Sequence, residues 1–170
     1  MMKESMIQVI CGSGRGKTTS AMGRGISALA RGKCVIMVQF LKGALDSDNM
    51  EIIQRLEPEF KLFRFEKTPV FFDRLTGEEK EEASICIRNG LNFAKKVLVT
   101  GECDILILDE LLGILDEGII TFEELAAVIE QASQAQIELI LTGAVYPETL
   151  NGYVDEVTRL TTQSYEHPEE

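Results

Sequence analysis

The stretch Gly12-Ser13-Gly14-Arg15-Gly16-Lys17-Thr18-Thr19 gathers glycines, two basic residues and three hydroxyls between an apolar run and a helical pattern. That composition suits a polyphosphate. Glycines let successive backbone N–H groups converge on anionic oxygens, and the N-terminus of the helix that follows adds the positive end of its dipole. Lys17 supplies a mobile charge, and Thr18 offers a hydroxyl to Mg²⁺. The order of strand, glycine-rich turn, Gly16-Lys17-Thr18 and helix is the setting in which a P-loop works.

The pattern departs from the usual G-x-x-x-x-G-K-[ST] in one respect. The position six residues before the lysine is Cys11, and the first glycine is Gly12. The cradle is therefore one residue shorter, which predicts a changed register for a bound triphosphate.

A second constellation is Asp104-Ile105-Leu106-Ile107-Leu108-Asp109-Glu110, an apolar run that ends in two carboxylates. In a parallel sheet the carboxyl ends of strands face the ligand crevice. Asp109 and Glu110 are accordingly predicted to point toward a bound divalent cation or to position water.

The elements that must position these residues are legible as apolar runs alternating with longer helical patterns, which predicts a parallel sheet with helices on its faces. Predicted strands are Met6 to Cys11, Cys34 to Phe40, Lys61 to Phe65, Ile105 to Asp109 and Ile137 to Thr142, with a weaker candidate at Val157 to Thr161. Most are apolar on both faces, as buried parallel strands are. Capping-box spacings at Asp48/Glu51, Thr76/Glu79 and Thr121/Glu124 predict helices near 48–56, 77–99 and 122–134. The helix after Lys17 carries an apolar stripe of Ala21, Met22, Ile26, Leu29 and Ala30 and stops at Gly32. Gly23 and Gly25 within it cost about 1 kcal/mol each against alanine, so close packing on the sheet is predicted there.

The fold expected is α/β: a three-layer P-loop NTPase of the RecA-like type, with a mostly parallel central sheet and helices on both faces. Its 170 residues suit one nucleotide-binding domain over 1–165, followed by a polar tail at 166–170 that carries His167, the only histidine. A net charge of −11 argues against a nucleic-acid partner, which needs a basic face. No segment approaches the length of a membrane span, and residues 1–10 lack the pattern of a signal peptide, so a cytoplasmic location is expected. Cys11, Cys34, Cys86 and Cys103 form no CxxC or Cys/His pair and are expected to be buried free thiols.

Taken together, the short glycine loop, the strand end Val38-Gln39-Phe40-Leu41-Lys42-Gly43, the strand end Leu108-Asp109-Glu110-Leu111 and the turn Thr142-Gly143 resemble the ATP:corrinoid adenosyltransferases, from about Ile7 to Leu160. The resemblance implies that Co(I) of a reduced corrinoid attacks the 5′ carbon of ATP and releases triphosphate. It implies Lys17 and Glu110 as catalytic residues. The N–H groups of Gly14 and Gly16, with Lys17 and Thr19, would meet phosphate oxygens, and Thr18 and Glu110 would face Mg²⁺ or Mn²⁺. Gln39 and Lys42 are candidates for ribose or phosphate contact. Phe71 and Phe72, in Thr68-Pro69-Val70-Phe71-Phe72-Asp73, are either the family's corrinoid-facing aromatics or core residues.

A homodimer and an electron-donating reductase follow from the resemblance alone. The chain departs from the family at Ala144, where arginine is common, at Arg159, where glutamate is expected, and in having no tryptophan. An N-terminal covering helix seen in some members has no room before Met6, and the C-terminal extension is curtailed. The alternatives are a P-loop ATPase using Glu110 to orient water, a nucleoside kinase, or a degenerate paralogue that binds ATP or corrinoid without catalysis.

Overall fold

The structure, a computed structural model, describes residues 5–40, 47–65 and 72–167, and for 47–50 the backbone alone. The apolar runs form β1 (Ile7–Cys11), β2 (Val35–Gln39), β3 (Phe60–Arg64), β4 (Ile105–Asp109), β5 (Glu138–Gly143) and β6 (Glu156–Arg159). Among the described residues these make one six-stranded sheet in the order β3-β2-β4-β5-β1-β6, and every pairing is parallel. The helices are α1 (Lys17–Leu29), α2 (Ser47–Gln54), α3 (Gly77–Thr100), α4 (Leu111–Asp116) and α5 (Phe122–Ala135), with short 3₁₀ turns at Phe72–Arg74 and Glu148–Leu150.

Because β2, β4 and most of β5 are buried on both faces, a layer of side chains must cover each side. On one side Ile36, Val38, Leu106, Leu108, Leu139 and Leu141 pack under α3, α4 and α5. On the other, Ile10, Val35, Met37, Ile105, Ile107 and Ile140 meet α1 and the α2–β3 region. This is the three-layer P-loop architecture. The capping boxes at Thr76/Glu79 and Thr121/Glu124 are formed in both directions, side chain to backbone and back, and start α3 and α5 where the spacing predicts. Helix α2 begins at Ser47, so Asp48 lies inside it rather than capping it.

The apolar stripe of α1 is shifted from the expected one. Ala21, Gly25 and Ala28 are buried, while Ile26 is 42% exposed and Ala30 faces solvent. The two helix glycines also differ. A Cβ on Gly25 would lie 2.7 Å from Phe60 Cε2 and 3.2 Å from both Ile107 and Val35, whereas a Cβ on Gly23 would meet nothing within 4 Å. Close packing therefore explains Gly25 and not Gly23. Gly25→Ala should lower stability by about 1–2 kcal/mol through overpacking, whereas Gly23→Ala should raise it by about 0.8–1 kcal/mol through helix propensity. Thermal melts check both signs, and equal shifts in one direction would contradict the packing assignment.

All four cysteines are free; Cys11 and Cys103 are buried, while Cys34 and Cys86 are partly exposed, so burial is complete for only two of them. Burial pushes the Cys103 thiol up to about 12, and it also raises that of Cys34, so both stay protonated near neutral pH. Among the described residues no helix is long and apolar enough to cross a membrane.

The strand order decides what meets at the carboxyl edge. β5 lies between β4 and β1, so Thr142 stands between the carboxylates that end β4 and the glycine loop that leaves β1. β6 flanks β1 on its outer side and carries the chain past that same loop.

Candidate functional site

Strand β1 runs through Cys11, whose fully buried side chain belongs to the core. The loop therefore starts one residue late, at Gly12. Gly12 and Gly16 adopt φ of 112° and 94°, conformations that side chains with a Cβ rarely adopt, and Gly16 is the N-cap of α1. The Lys17 ammonium folds back across the loop and donates to Gly12 O at 2.8 Å and to Gly14 O at 2.9 Å. Among the described residues, the amides of Ser13, Gly16, Lys17 and Thr19 have no protein acceptor. For Lys17 and Thr19 that follows from their place in the first turn of α1. The Thr19 hydroxyl donates to Gly16 O at 3.1 Å, and Ser13 and Arg15 are exposed.

The Gly14 amide is oriented differently from what the sequence suggests. It donates to Leu160 O at 2.9 Å, so the N–H expected on a phosphate is already bonded to the chain beyond β6. Gly12 N donates to Ala144 O at 3.1 Å and Arg15 N to Thr162 Oγ1 at 2.7 Å. The donors left for an anion are the Ser13 amide and those nearest the helix, with Lys17.

Asp109, fully buried at the end of β4, is the hub of the acidic side. Thr18 Oγ1 donates to its two oxygens at 3.0 and 3.1 Å, Thr142 Oγ1 donates at 2.7 Å and Gln39 Nε2 at 3.2 Å. The parallel register places Gln39 directly beside Asp109, and its amide oxygen accepts from Arg64 Nε at 2.8 Å. Gln39 is thus 4% exposed and bridges Asp109 to Arg64, instead of presenting its amide to a ribose or phosphate. Glu110 is held at φ 65°, a left-handed conformation that costs a non-glycine residue about 1 kcal/mol, and its N–H donates to Thr142 Oγ1 at 2.9 Å. Its carboxylate makes no cap bond to α4.

Thr142 is the residue that sequence spacing did not assign to the site. One hydroxyl accepts from Glu110 N and donates to Asp109, so it fixes both consecutive acidic positions. Gly143 after it has a separate reason: a Cβ there would lie 2.4 Å from Leu112 Cβ, where α4 packs on the strand. The Thr-Gly pair was the available signal. Thr142→Val should lower stability by about 1–3 kcal/mol, because it removes the acceptor of the part-buried Glu110 N–H and one donor from the buried Asp109. Calorimetric unfolding checks this, and an unchanged melting temperature would contradict the hub.

At the outer edge, Arg159 lies beside Cys11 in register, with its guanidinium 5.3 Å over the Tyr146 ring and Nη1 3.9 Å from Cys11 Sγ. Burial lifts the Tyr146 phenol above its usual range, and the Arg159 charge pulls it partly back. Phe72 packs half-buried against the core, with the Lys80 ammonium 5.7 Å from its ring centre. Lys42 and Phe71 lie outside the described residues.

Thr18 and Asp109 offer the hard oxygen donors that Mg²⁺ prefers, and among the described residues no cluster of three or more acidic, cysteine or histidine side chains is poised for a metal. That donor set fits an ion that keeps several waters and takes its remaining ligands from phosphates.

The model of the family described as ATP:corrinoid adenosyltransferase BtuR/CobO/CobP matches residues 3–169. The corrinoid adenosyltransferase of Escherichia coli (strain K12) is 29% identical over 141 residues, covering 83% of this chain and 68% of that protein. The corrinoid adenosyltransferase CobA of Salmonella typhimurium is 27% identical over 158 residues, covering 93% and 77%. That of Pseudomonas aeruginosa is 27% identical over 165 residues, covering 94% and 76%. With a match that spans nearly its whole length, the chain belongs to the ATP:corrinoid adenosyltransferase family.

Proposed function

We propose that this protein transfers the 5′-deoxyadenosyl group of ATP to Co(I) of a reduced corrinoid and releases inorganic triphosphate. The observation that carries the proposal is the junction of two halves of a site: the unsatisfied amides of Gly16, Lys17 and Thr19 beside Lys17, and the Thr18–Asp109–Thr142 cluster next to them. The first half suits a polyphosphate and the second suits its divalent cation.

In the reaction, the cobalt lone pair forms a Co–C bond with C5′ as the C5′–O bond breaks, and the bonding pair leaves with the triphosphate. So strong a nucleophile needs no general base. The protein aligns the reacting atoms and stabilises charge on the leaving group. Lys17 swings from the Gly12 and Gly14 carbonyls to the phosphates. Mg²⁺ or Mn²⁺, when bound, neutralises triphosphate charge; Thr18 and Asp109 would hold it, and Glu110 stands next in line. Phe72 and Phe71 are assigned to the corrinoid, and Lys42 to the ribose or phosphates, on the family resemblance. A homodimer in the cytoplasm, supplied with electrons by a reductase, completes the proposal; neither nucleic acid nor membrane takes part.

The test is a spectral assay with chemically reduced cobalamin, ATP and Mg²⁺. A light-sensitive Co–C product should form, and ATP without corrinoid should release no phosphate. Steady phosphate release with no Co–C product would assign the site to hydrolysis, with Glu110 orienting water. ATP binding with neither product would make the chain a carrier.

A further inference from the structure

We infer that residues 160–162, just beyond β6, are a working part of the phosphate site, and that Thr162 is a positioning residue for the glycine loop. The inference rests on the proposal that this loop binds a triphosphate.

The short loop is laced to this segment along its length. Leu160 N donates to Cys11 O at 2.8 Å, Gly14 N donates to Leu160 O at 2.9 Å, and Arg15 N donates to Thr162 Oγ1 at 2.7 Å. The surfaces also touch. A Cβ on Gly12 would lie 2.4 Å from Leu160 O, and one on Gly14 would lie 2.7 Å from Leu160 O and 2.8 Å from the Thr161 carbonyl carbon. Gly12 and Gly14 are thus required by the strap before any ligand is considered. Arg159, stacked on Tyr146 beside Cys11, anchors its start.

Each loop amide that donates to the strap is withdrawn from the anion side. With the Gly14 and Arg15 N–H groups bonded to the strap, the Ser13, Gly16, Lys17 and Thr19 amides remain for phosphate. A loop shortened by one residue that is fixed before binding loses less conformational freedom when the triphosphate arrives. Of the three rungs, the Thr162 rung alone is made by a side chain, and Thr162 is exposed, so it can be removed without disturbing the core.

The test compares Thr162→Val, Thr162→Ser and Lys17→Ala with the parent protein. Affinities for inorganic triphosphate and ATP are measured by titration calorimetry, and KM for ATP and kcat by the corrinoid assay. Thr162→Val should weaken both ligands about two- to tenfold, the worth of one hydrogen bond, as a rise in KM at nearly constant kcat and melting temperature. Thr162→Ser should restore the parent values. Unchanged affinity in Thr162→Val while Lys17→Ala loses binding would overturn the strap and leave the cradle standing. Parallel falls in kcat and melting temperature, or no rescue by serine, would show a merely structural contact and overturn it as well. If Lys17→Ala itself binds triphosphate normally, the cradle fails and the strap with it.

Discussion

Lys17→Ala lowers kcat/KM for ATP by about 10²- to 10³-fold, the scale on which enzymes lose rate when one preorganised charge-stabilising donor is deleted. The ammonium is the only side-chain cation bonded within the loop among the described residues, and it is already held at its mouth by Gly12 O and Gly14 O. On the proposed reading, phosphate oxygens take the place of those two carbonyls as partners of the ammonium. Alanine removes that charge and leaves only neutral amides to hold a polyanion. Triphosphate affinity should fall with the rate, while the melting temperature moves little, because Lys17 is only partly buried. Isothermal titration with ATP and with triphosphate reads the loss directly, and unchanged affinity would remove Lys17 from the site.

Asp109→Asn has the second large effect, and it reaches stability as well as activity. The buried carboxylate accepts from Thr18, Gln39 and Thr142, and an ionised carboxylate is an acceptor only. An asparagine amide has the same shape but brings two N–H donors into a ring of donors. The threonine hydroxyls can rotate, but the Gln39 amide, fixed on its other side by Arg64, cannot turn without breaking that bond. At least one donor–donor clash or unsatisfied group remains, which costs about 1–3 kcal/mol. For a chain of this length that corresponds to a fall of roughly 2–10 °C in melting temperature. Activity should fall about 10²-fold or more, because the hard-oxygen partner of Thr18 is gone as well. A calorimetric scan and a Mg²⁺ titration of the rate separate the two losses. Full activity at ordinary Mg²⁺ would exclude Asp109 from the cation site.

Much of this site was legible because its parts are local. A glycine loop between an apolar run and a helical pattern can be read along the chain, as can an apolar strand that ends in Asp109-Glu110. The capping boxes of α3 and α5 were equally plain, since three residues of spacing carry the whole signal. What escaped depends on which strands become neighbours. Thr142 acts at the site because β5 lies between β4 and β1, and sequence spacing contains no trace of that order.

Gln39 ends a strand, which in sequence suggests an amide that faces a ligand. The register with Asp109 and the reach of Arg64 turn it inward. The family resemblance implies a phosphate for the Gly14 amide; the strap at 160–162, far away in sequence, holds that amide instead. Helix α4 was missed because its six residues are too few for a periodic stripe, and it starts from a left-handed Glu110 with no capping side chain. Ile26 is exposed because α1 buries the face of Ala21, Gly25 and Ala28, which an apolar stripe alone does not fix.

In the proposed transfer the bond broken is C5′–O, and the group gripped by the loop leaves whole. ATP carrying ¹⁸O in the bridge between C5′ and the α-phosphorus tests it in one turnover with reduced corrinoid and Mg²⁺. Displacement at carbon predicts one inorganic triphosphate for each Co–C bond formed, with all of the label in the triphosphate. Label retained on adenosine, or ADP and phosphate in place of triphosphate, would show cleavage at phosphorus and contradict the claim.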